Sequence, residues 1–225
     1  MKRNNKNYST NISPKKTRSF NNKLNLISIG ICTKNNYKLL DRCLNSIYNL
    51  TIPQKIQIQV IIIDQSNKKF QINFPHIKGF VFEQLSSQHS GISFARNELF
   101  EHANGEILFI TDDDTVVSHD WLISTLLIFT QNKKVGIIGG KIKQLNKTPK
   151  CFIKTLKEIG YNKNFWPYAL LDLGEGIITI DKNTPYPCFA NMAVRKKVYK
   201  NIRIDTDFGN QERFFKIFGG EDPAF

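Results

Sequence analysis

The chain has 225 residues, 40% of them hydrophobic, and a formal net charge of +13. This length and apolar content are enough for one domain of ordinary size with a buried core. The sequence contains neither an apolar run of about 18 residues nor the apolar segment of a signal peptide, so we expect a cytoplasmic protein without a membrane-spanning helix.

Much of the positive charge lies in residues 1–25, which contain no acidic residue and are rich in Asn, Ser and Lys. This composition predicts a disordered tail. A basic tail suits anionic partners, and we expect weak, peripheral contact with the anionic inner face of a membrane. Nucleic acid is not expected as a partner, because no predicted helix shows a clustered basic face with interleaved aromatic residues.

Apolar runs and amphipathic helical patterns alternate along residues 26–142. Strands are predicted at Leu26–Cys32, Ile56–Ile63, Lys78–Glu83, Gly105–Thr111 and Val135–Ile142. Helices are predicted at Leu39–Leu50, with Asn36 as N-cap, and at Ser90–Ala103 and His119–Thr130. The alternation predicts an α/β domain with a mostly parallel central sheet flanked by helices.

The alternation fails near residue 145 and returns only at Cys188–Val194, which is predicted as a further strand. The chain ends with Pro223 placed like the first residue of a helix, so we expect it to be part of a longer protein. The four cysteines show no metal-ligand or redox spacing, and reduced thiols are expected.

Three adjacent carboxylates, Asp112, Asp113 and Asp114, follow the buried run Ile107–Ile110. They repel one another unless water or a cation neutralises them. Strand geometry points Asp112 and Asp114 the same way, and paired carboxylates at the carboxyl end of a strand suit Mg²⁺ or Mn²⁺. The alternative is a solvated acidic turn that precedes a helix capped by Ser118.

Several segments, in this order, resemble the family 2 glycosyltransferases with the GT-A fold. They are Ile29–Asn35, Val60–Ser66, Gly91–Asn97, Phe109–Asp114 with the Asp-x-Asp motif, Ala190–Arg195 and Gly219–Asp222. The resemblance covers about residues 26–225. Two positions depart from the family pattern: Asp64-Gln65-Ser66 stands where many members have Asp-Asp-Gly-Ser, and Cys32 replaces a frequent Pro.

The resemblance implies a Rossmann-like GT-A fold divided at about residue 142. Residues 26–142 would bind the nucleotide sugar, and residues 143–225 would form the acceptor side and the catalytic loop. The implied reaction is the metal-dependent transfer, with inversion, of a sugar from a nucleoside diphosphate sugar to an acceptor hydroxyl. A UDP-sugar is the favoured donor, the pathway is polysaccharide or glycoconjugate synthesis, and a saccharide, a lipid-linked intermediate or a protein stays open as the acceptor.

This reaction has two chemical requirements, a cation for the diphosphate and a base for the acceptor hydroxyl. The resemblance implies Mn²⁺ or Mg²⁺ bound by Asp114, with Asp112 at the ribose or the metal and Asp113 also on the donor side. It implies Asp222 as the base, with Glu221 as the second choice. The alternative for both residues of the catalytic loop is that they cap the helix that follows.

The remaining candidate residues lie at strand ends or on the second helix. The resemblance implies nucleotide contacts for Thr33 and Asp64, although Asp64 could equally form a strand-end turn. Arg96 offers a planar fork for phosphate or for the aspartate cluster, or is simply solvated. The resemblance places Asn191 and Arg195 on the acceptor-side strand.

Two other functions compete with glycosyl transfer. A sugar-phosphate nucleotidyltransferase would need a glycine-rich phosphate loop after the first strand, where this chain has Cys32-Thr-Lys-Asn-Asn36. A catalytically inactive relative that binds a nucleotide sugar would carry the same motifs, and a transfer assay would distinguish it.

Overall fold

The structure, a computed structural model, describes residues 25–68, 70–143 and 188–206. The strands in these ranges are β1 (Leu26–Thr33), β2 (Gln57–Asp64), β3 (Phe80–Ser86), β4 (Ile107–Asp112), β5 (Ile137–Gly139) and β6 (Met192–Arg195). The helices are α1 (Tyr37–Tyr48), α2 (Ile92–His102), α3 (Trp121–Gln131) and α4 (Lys196–Tyr199), and a 3-10 turn, Phe189–Asn191, precedes β6.

The six strands form one sheet in the order β3-β2-β1-β4-β6-β5. Strand β1 pairs in parallel with both β2 and β4, and β2 pairs in parallel with β3. Strand β6 runs antiparallel to its neighbours β4 and β5. The prediction of an α/β fold with a mostly parallel sheet is therefore confirmed, and the carboxyl ends of β2, β1 and β4 lie side by side at one edge.

Both faces of the central strands β1, β2 and β4 are covered, which explains why these strands are mostly apolar runs. On one face the sheet packs against α1 and α3, and on the other against α2 and α4. The sheet and α2 pack closely at Gly30, because a Cβ atom at this position would lie 2.3 Å from a Leu99 methyl group. Burying each large aliphatic side chain in these layers contributes about 1.5–3 kcal/mol.

Several predicted boundaries are wrong in detail. For α1 the predicted N-cap is confirmed, because the helix begins at Tyr37 and Asn36 is its N-cap, although the Asn36 side chain forms no capping hydrogen bond. The N-cap of α3 is Asp120 and not Ser118. The segment predicted as a strand at Cys188–Val194 begins as a 3-10 turn, because the backbone enters the sheet only at Met192.

Cys32 and Cys43 are unpaired thiols, as expected from their spacing. Burial raises the pKa of each to about 12, so both stay protonated at neutral pH. Within the described residues, no helix has the length and apolar character needed to cross a bilayer.

Candidate active site

Three candidate residues meet at the carboxyl edge of the sheet. Thr33 at the end of β1 pairs with Asp64 at the end of β2, and Cys32 pairs with Asp112 at the end of β4. This register follows from the parallel pairing of the three strands. It brings the predicted nucleotide contacts and the aspartate cluster to neighbouring positions.

Asp113 is held by side chains from the turn that follows β1. The Thr33 hydroxyl donates to its Oδ2 at 2.6 Å, and Asn36 Nδ2 donates to its Oδ1 at 3.0 Å. Burial raises the pKa of Asp113, helped by the charge of Asp114, although the two hydrogen bonds act in the opposite direction. Both carboxylate oxygens are engaged, so Asp113 ties the end of β4 to the end of β1.

Asp112 faces α2, where Arg96 approaches it. The distance between Arg96 Nη2 and Asp112 Oδ1 is 3.6 Å, with the arginine side chain 7% exposed and the aspartate side chain 40% exposed. The guanidinium carbon lies 3.9 Å from the centre of the Phe189 ring. Of the three alternatives for Arg96, the geometry favours contact with the aspartate cluster and contradicts a solvated helix residue.

Asp114 is exposed to solvent, whereas two hydrogen bonds hold the backbone of the turn that contains it. Arg42 Nη2 donates to the Asp114 carbonyl oxygen at 2.6 Å, and Thr115 Oγ1 donates to the Asp112 carbonyl oxygen at 2.9 Å. Sequence analysis did not identify Arg42, which lies on α1, far from the turn along the chain. The turn that contains Asp114 is thus held by other parts of the protein, while Asp114 itself stays exposed to solvent.

Asp64 is only 3% exposed and accepts several hydrogen bonds. Tyr37 Oη and Gln84 Nε2 donate to Oδ2 at 2.7 and 3.0 Å, and the Ser66 amide donates to Oδ1 at 2.9 Å. Burial alone would raise the pKa of Asp64, but the hydrogen bonds from Ser66, Tyr37 and Gln84 together lower it. Asp64 therefore stays ionised and organises the turn after β2, which fits the turn-forming alternative as well as a nucleotide contact.

The turns after β1 and β2 are fastened to each other. Asn35 adopts a left-handed backbone conformation (φ 57°), which Asn tolerates better than most residues. Its amide donates to Ser66 Oγ at 2.7 Å, and its side-chain oxygen accepts from the Asn67 amide at 3.2 Å. These bonds fix the two turns that the resemblance assigns to the nucleotide.

A third loop, between β3 and α2, joins this edge through two residues. Gln65, which replaces the second Asp of the family pattern, donates from Nε2 to the carbonyl oxygens of His89 and Gly91 at 2.8 and 2.9 Å. Lys34 Nζ donates to Ser90 Oγ at 2.8 Å. Gln65, at which this chain departs from the family pattern, thus has a structural role, because its side-chain amide holds the loop that leads into α2.

Of the two acceptor-side candidates, only Asn191 lies near this edge. Its neighbour Met192 pairs with Ile110, near the carboxyl end of β4. Its Oδ1 accepts from Trp121 Nε1 at 2.8 Å, and its Nδ2 donates to the Lys141 carbonyl oxygen at 3.1 Å.

Arg195, the other residue that the resemblance assigns to the acceptor-side strand, lies at the opposite end of β6. Arg195 pairs with Ile107, at the amino edge of the sheet, because β6 runs antiparallel to β4. Its guanidinium donates to the carbonyl oxygens of Phe129 and Val135 at 2.7 Å each and lies over the Phe129 ring. Arg195 thus stabilises the carboxyl end of α3 and is absent from the aspartate edge.

The catalytic-loop candidates Asp222 and Glu221 lie outside the described residues. The described part of the candidate site is therefore its donor side together with Asn191. In these ranges, no group of three or more His, Cys, Asp and Glu residues is placed to hold a metal ion.

The mostly parallel six-stranded sheet with helices on both faces resembles the GT-A fold of glycosyltransferases. The model of the family described as Glycosyl transferase family 2 matches residues 28–203. The chain belongs to glycosyltransferase family 2, and the expected resemblance is confirmed.

The relatives extend beyond this chain. The succinoglycan biosynthesis protein ExoM of Rhizobium meliloti (strain 1021) is 31% identical over 117 residues, which are 50% of this chain and 38% of ExoM. The crystal structure of S. aureus TarS 1-349 superposes with a TM-score of 0.54 and 14% identity, over 82% of this chain and 52% of that one. A second TarS structure gives a TM-score of 0.53, over 81% of this chain and 31% of that one. The TarS likeness shows the fold, and the chain spans about half or less of each relative's length.

Proposed function

We propose that the protein transfers a sugar from a nucleoside diphosphate sugar, with a UDP-sugar favoured, to the hydroxyl group of an acceptor with inversion. The observation that carries the proposal is the meeting of Asp112 and Asp114 with Thr33 and Asp64 at one sheet edge, in a chain of family 2. The similarity to ExoM, a succinoglycan biosynthesis protein, supports a polysaccharide as the product.

The carboxylates at this edge fit a hard divalent cation. Asp113 has both oxygens engaged by Thr33 and Asn36, so the residues that would hold Mn²⁺ or Mg²⁺ are Asp114 and Asp112. These ions commonly take one or two carboxylates and complete their shell with water and substrate phosphates. When bound, the ion would neutralise the negative charge that develops on the leaving diphosphate.

Asp112 has a second neighbour that affects this role. Arg96, buried against Phe189, lies 3.6 Å from it and fixes its orientation. A carboxylate shared with a guanidinium is a weaker metal ligand, because part of its charge is already compensated. We therefore assign the metal chiefly to Asp114, and assign to Asp112 a shared role at the metal or the donor ribose.

The nucleoside would lie over the turns that follow β1 and β2. Thr33 and Asp64 end these strands, and the bonds between Asn35 and Ser66 hold the two turns together. Such a turn needs little reordering when a ligand binds, so less conformational entropy is lost. Asp64 would then act by keeping the turn in its binding conformation and by offering its charge to the base or ribose.

The acceptor hydroxyl has to lose its proton as it attacks the sugar, and a carboxylate is the fitting base. We assign this role to Asp222, with Glu221 as the second choice, on the family pattern of the sequence. Exchange of Asp222 for Asn should lower the transfer rate by about two to four orders of magnitude with donor binding retained. An unchanged rate would remove Asp222 from the role of base.

The acceptor side would include Asn191, whose side chain bridges Trp121 and the Lys141 backbone. A lipid-linked saccharide is a fitting acceptor for a chain with a basic tail, because the tail would hold the enzyme peripherally at the anionic inner face of the membrane. A soluble saccharide and a protein are the other acceptors to be tested.

Thermal unfolding in the presence of nucleotides tests the donor site directly. UDP, GDP, CDP and dTDP are each added with Mn²⁺, with and without a chelator. A nucleotide at 100 times its dissociation constant stabilises the native state by about 2.7 kcal/mol. We expect a chelator-sensitive increase in melting temperature with one nucleotide, UDP first. No increase with any nucleotide in a folded sample would contradict the proposal.

A second measurement separates an active enzyme from an inactive relative. Release of the nucleoside diphosphate from the matching sugar donor is followed with saccharide, lipid-linked and protein acceptors, and Asp222→Asn serves as the control. Binding without acceptor-dependent release with all three acceptors would favour the inactive relative, whereas release of pyrophosphate from a nucleoside triphosphate in the presence of a sugar phosphate would favour the nucleotidyltransferase.

A further inference from the structure

Lys34 is a cation at the candidate active site whose charge is not compensated by any carboxylate of the described residues. It directly follows Thr33, the last residue of β1, and its side chain is half-buried. Its ammonium group contacts the neutral hydroxyl of Ser90 at 2.8 Å, and among the described residues it forms no ion pair. A hydroxyl uses one of the three donors of an ammonium group and leaves its charge available for an anion.

The face of the sheet on which Lys34 lies indicates which part of a nucleotide it would meet. Residues alternate between faces along β1, and Lys34 reaches toward the start of α2. Asp112 shares this side, because Arg96 of α2 contacts it. Asp64 lies on the α1 side, with Tyr37. Lys34 thus lies on the same face of the sheet as Asp112, which is assigned to the metal or the donor ribose, and on the opposite face from Asp64.

The two arginines near the aspartate cluster already have partners. Arg96 contacts Asp112 and is buried against Phe189. Arg42 donates to the backbone carbonyl of Asp114 at 2.6 Å. To pair with the buried Arg96 guanidinium, a phosphate group would have to displace Asp112, whereas at Lys34 it would replace a single bond to a neutral hydroxyl group.

We propose that Lys34 binds the diphosphate of the donor and thereby makes the site selective for nucleoside diphosphates over nucleosides. This inference rests on the proposed function. On binding, the ammonium group exchanges its neutral hydroxyl acceptor for charged phosphate oxygens, which form the stronger hydrogen bonds. The bound metal and Lys34 would then share the negative charge of the diphosphate.

Calorimetric titrations of UDP, UMP and uridine with Mn²⁺ test this role in the wild type, Lys34→Met and Lys34→Arg. Loss of a charge-assisted hydrogen bond predicts at least about tenfold weaker UDP binding for Lys34→Met. Uridine binding should change by less than about threefold. Lys34→Arg, which keeps the charge, should recover most of the affinity for UDP.

Two matched variants serve as controls. Ser90→Ala removes the same Lys34–Ser90 hydrogen bond but keeps the ammonium group, and we expect UDP binding within about twofold of the wild type. Lys133→Met removes one positive charge from an exposed position after α3, outside the carboxyl edge, and should leave UDP binding unchanged. The melting temperature of each variant shows whether it is folded.

The outcomes separate this inference from the proposed function. Equal losses for UDP and uridine in Lys34→Met, or no loss for either, would overturn the role of Lys34 while leaving the donor site intact. A loss in Ser90→Ala as large as in Lys34→Met would overturn it too, because loop anchoring would then explain both. If the wild type binds none of the four nucleoside diphosphates, the proposed function fails and the inference fails with it.

Discussion

The two edges of the sheet both contain buried polar side chains, but they use them differently. At the amino edge, Ser28 is fully buried and its hydroxyl contacts Gln59 at 2.6 Å and the Gly105 amide at 2.8 Å. Gln59 also donates to Glu83 and to the His102 carbonyl oxygen at 3.1 and 3.3 Å. The hydrogen-bonding groups of this cluster are directed at other protein groups, so the cluster is suited to holding β1, β2 and the start of β4 together.

The carboxyl edge contains comparable clusters around Asp64 and Asp113. It also contains charged groups whose capacity for hydrogen bonds and ion pairs is only partly used within the protein. Asp114 is exposed, Asp112 is 40% exposed, and Lys34 contacts a neutral hydroxyl. A fully satisfied polar cluster makes a fold rigid, whereas charged groups with spare capacity can bind a ligand. The comparison predicts that substitutions at the amino edge lower stability. Substitutions of the charged groups at the carboxyl edge that have few partners within the protein should instead lower activity.

Among substitutions in the described residues, the largest effect is expected for Asp114→Asn. Loss of a carboxylate ligand should weaken metal-dependent nucleotide binding about 100-fold, because a bound cation contributes several kcal/mol to neutralising phosphate. The free energy of unfolding should change by less than about 0.5 kcal/mol, since the side chain is exposed. Metal titration of nucleotide binding and urea unfolding measure the two quantities. Asp41→Asn, an exposed aspartate of α1, is the control, and an identical metal titration in Asp114→Asn would break the assignment.

Arg195→Ala is the matching test at the amino edge. Its guanidinium donates to three backbone carbonyl groups, those of Phe129, Asn132 and Val135. Removing these bonds should cost about 2–3 kcal/mol of unfolding free energy, measured by urea denaturation. The transfer rate per folded molecule should stay within about twofold. A stable variant with a large loss of activity would restore the acceptor-side role that the sequence suggested.

Arg195 also shows what sequence analysis could and could not predict. The alternation of apolar runs and amphipathic helical patterns predicted the fold, because the spacing of apolar residues in a strand or a helix can be read from residues close together in the sequence. The direction of β6 leaves no trace in such a pattern, and it is this antiparallel direction that carries Arg195 to the far edge. Asn36 was placed correctly at the start of α1, but its side chain is engaged by Asp113, 77 residues away along the chain. Contacts at that separation depend on the assembled sheet.

Asp64→Asn tests whether a satisfied group at the carboxyl edge behaves like the amino edge. The hydrogen bonds that lower its pKa favour the ionised form in the folded state. This contribution is present above the unfolded pKa of about 3.9 and is lost as the pH falls through the lower folded pKa. The variant should be about 1–2 kcal/mol less stable than the wild type at pH 7.

Urea unfolding at neutral and acidic pH measures this difference. The deficit of Asp64→Asn should shrink as the pH falls below about 4, because the wild-type carboxylate then gains a proton. Tyr37→Phe removes a single one of the donors to Asp64 and should show a smaller deficit with the same pH trend. A deficit that is constant from acidic to neutral pH would show that shape, and not charge, is what Asp64 supplies.

Asp113→Asn should have the smallest effect, with the opposite pH trend. Burial raises the pKa of Asp113, so its contribution to stability is present below the unfolded pKa and is lost as the pH rises through the folded one. An Asn side chain can still bond to Thr33 and Asn36 and carries no charge that would need solvation. The variant should be within about 0.5 kcal/mol of the wild type at pH 7, and its relative stability should increase as the pH rises from about 4.

Nucleotide binding by Asp113→Asn then sharpens the contrast with its neighbour. Both oxygens of Asp113 are used within the protein, so the variant should bind UDP and Mn²⁺ within about twofold of the wild type. A loss comparable to that of Asp114→Asn would mean that Thr33 and Asn36 release Asp113 when the donor binds. The hydrogen bonds around Asp113 would then belong only to the form of the protein without donor. In that case, a residue whose hydrogen bonds are all made within the protein could still bind the donor.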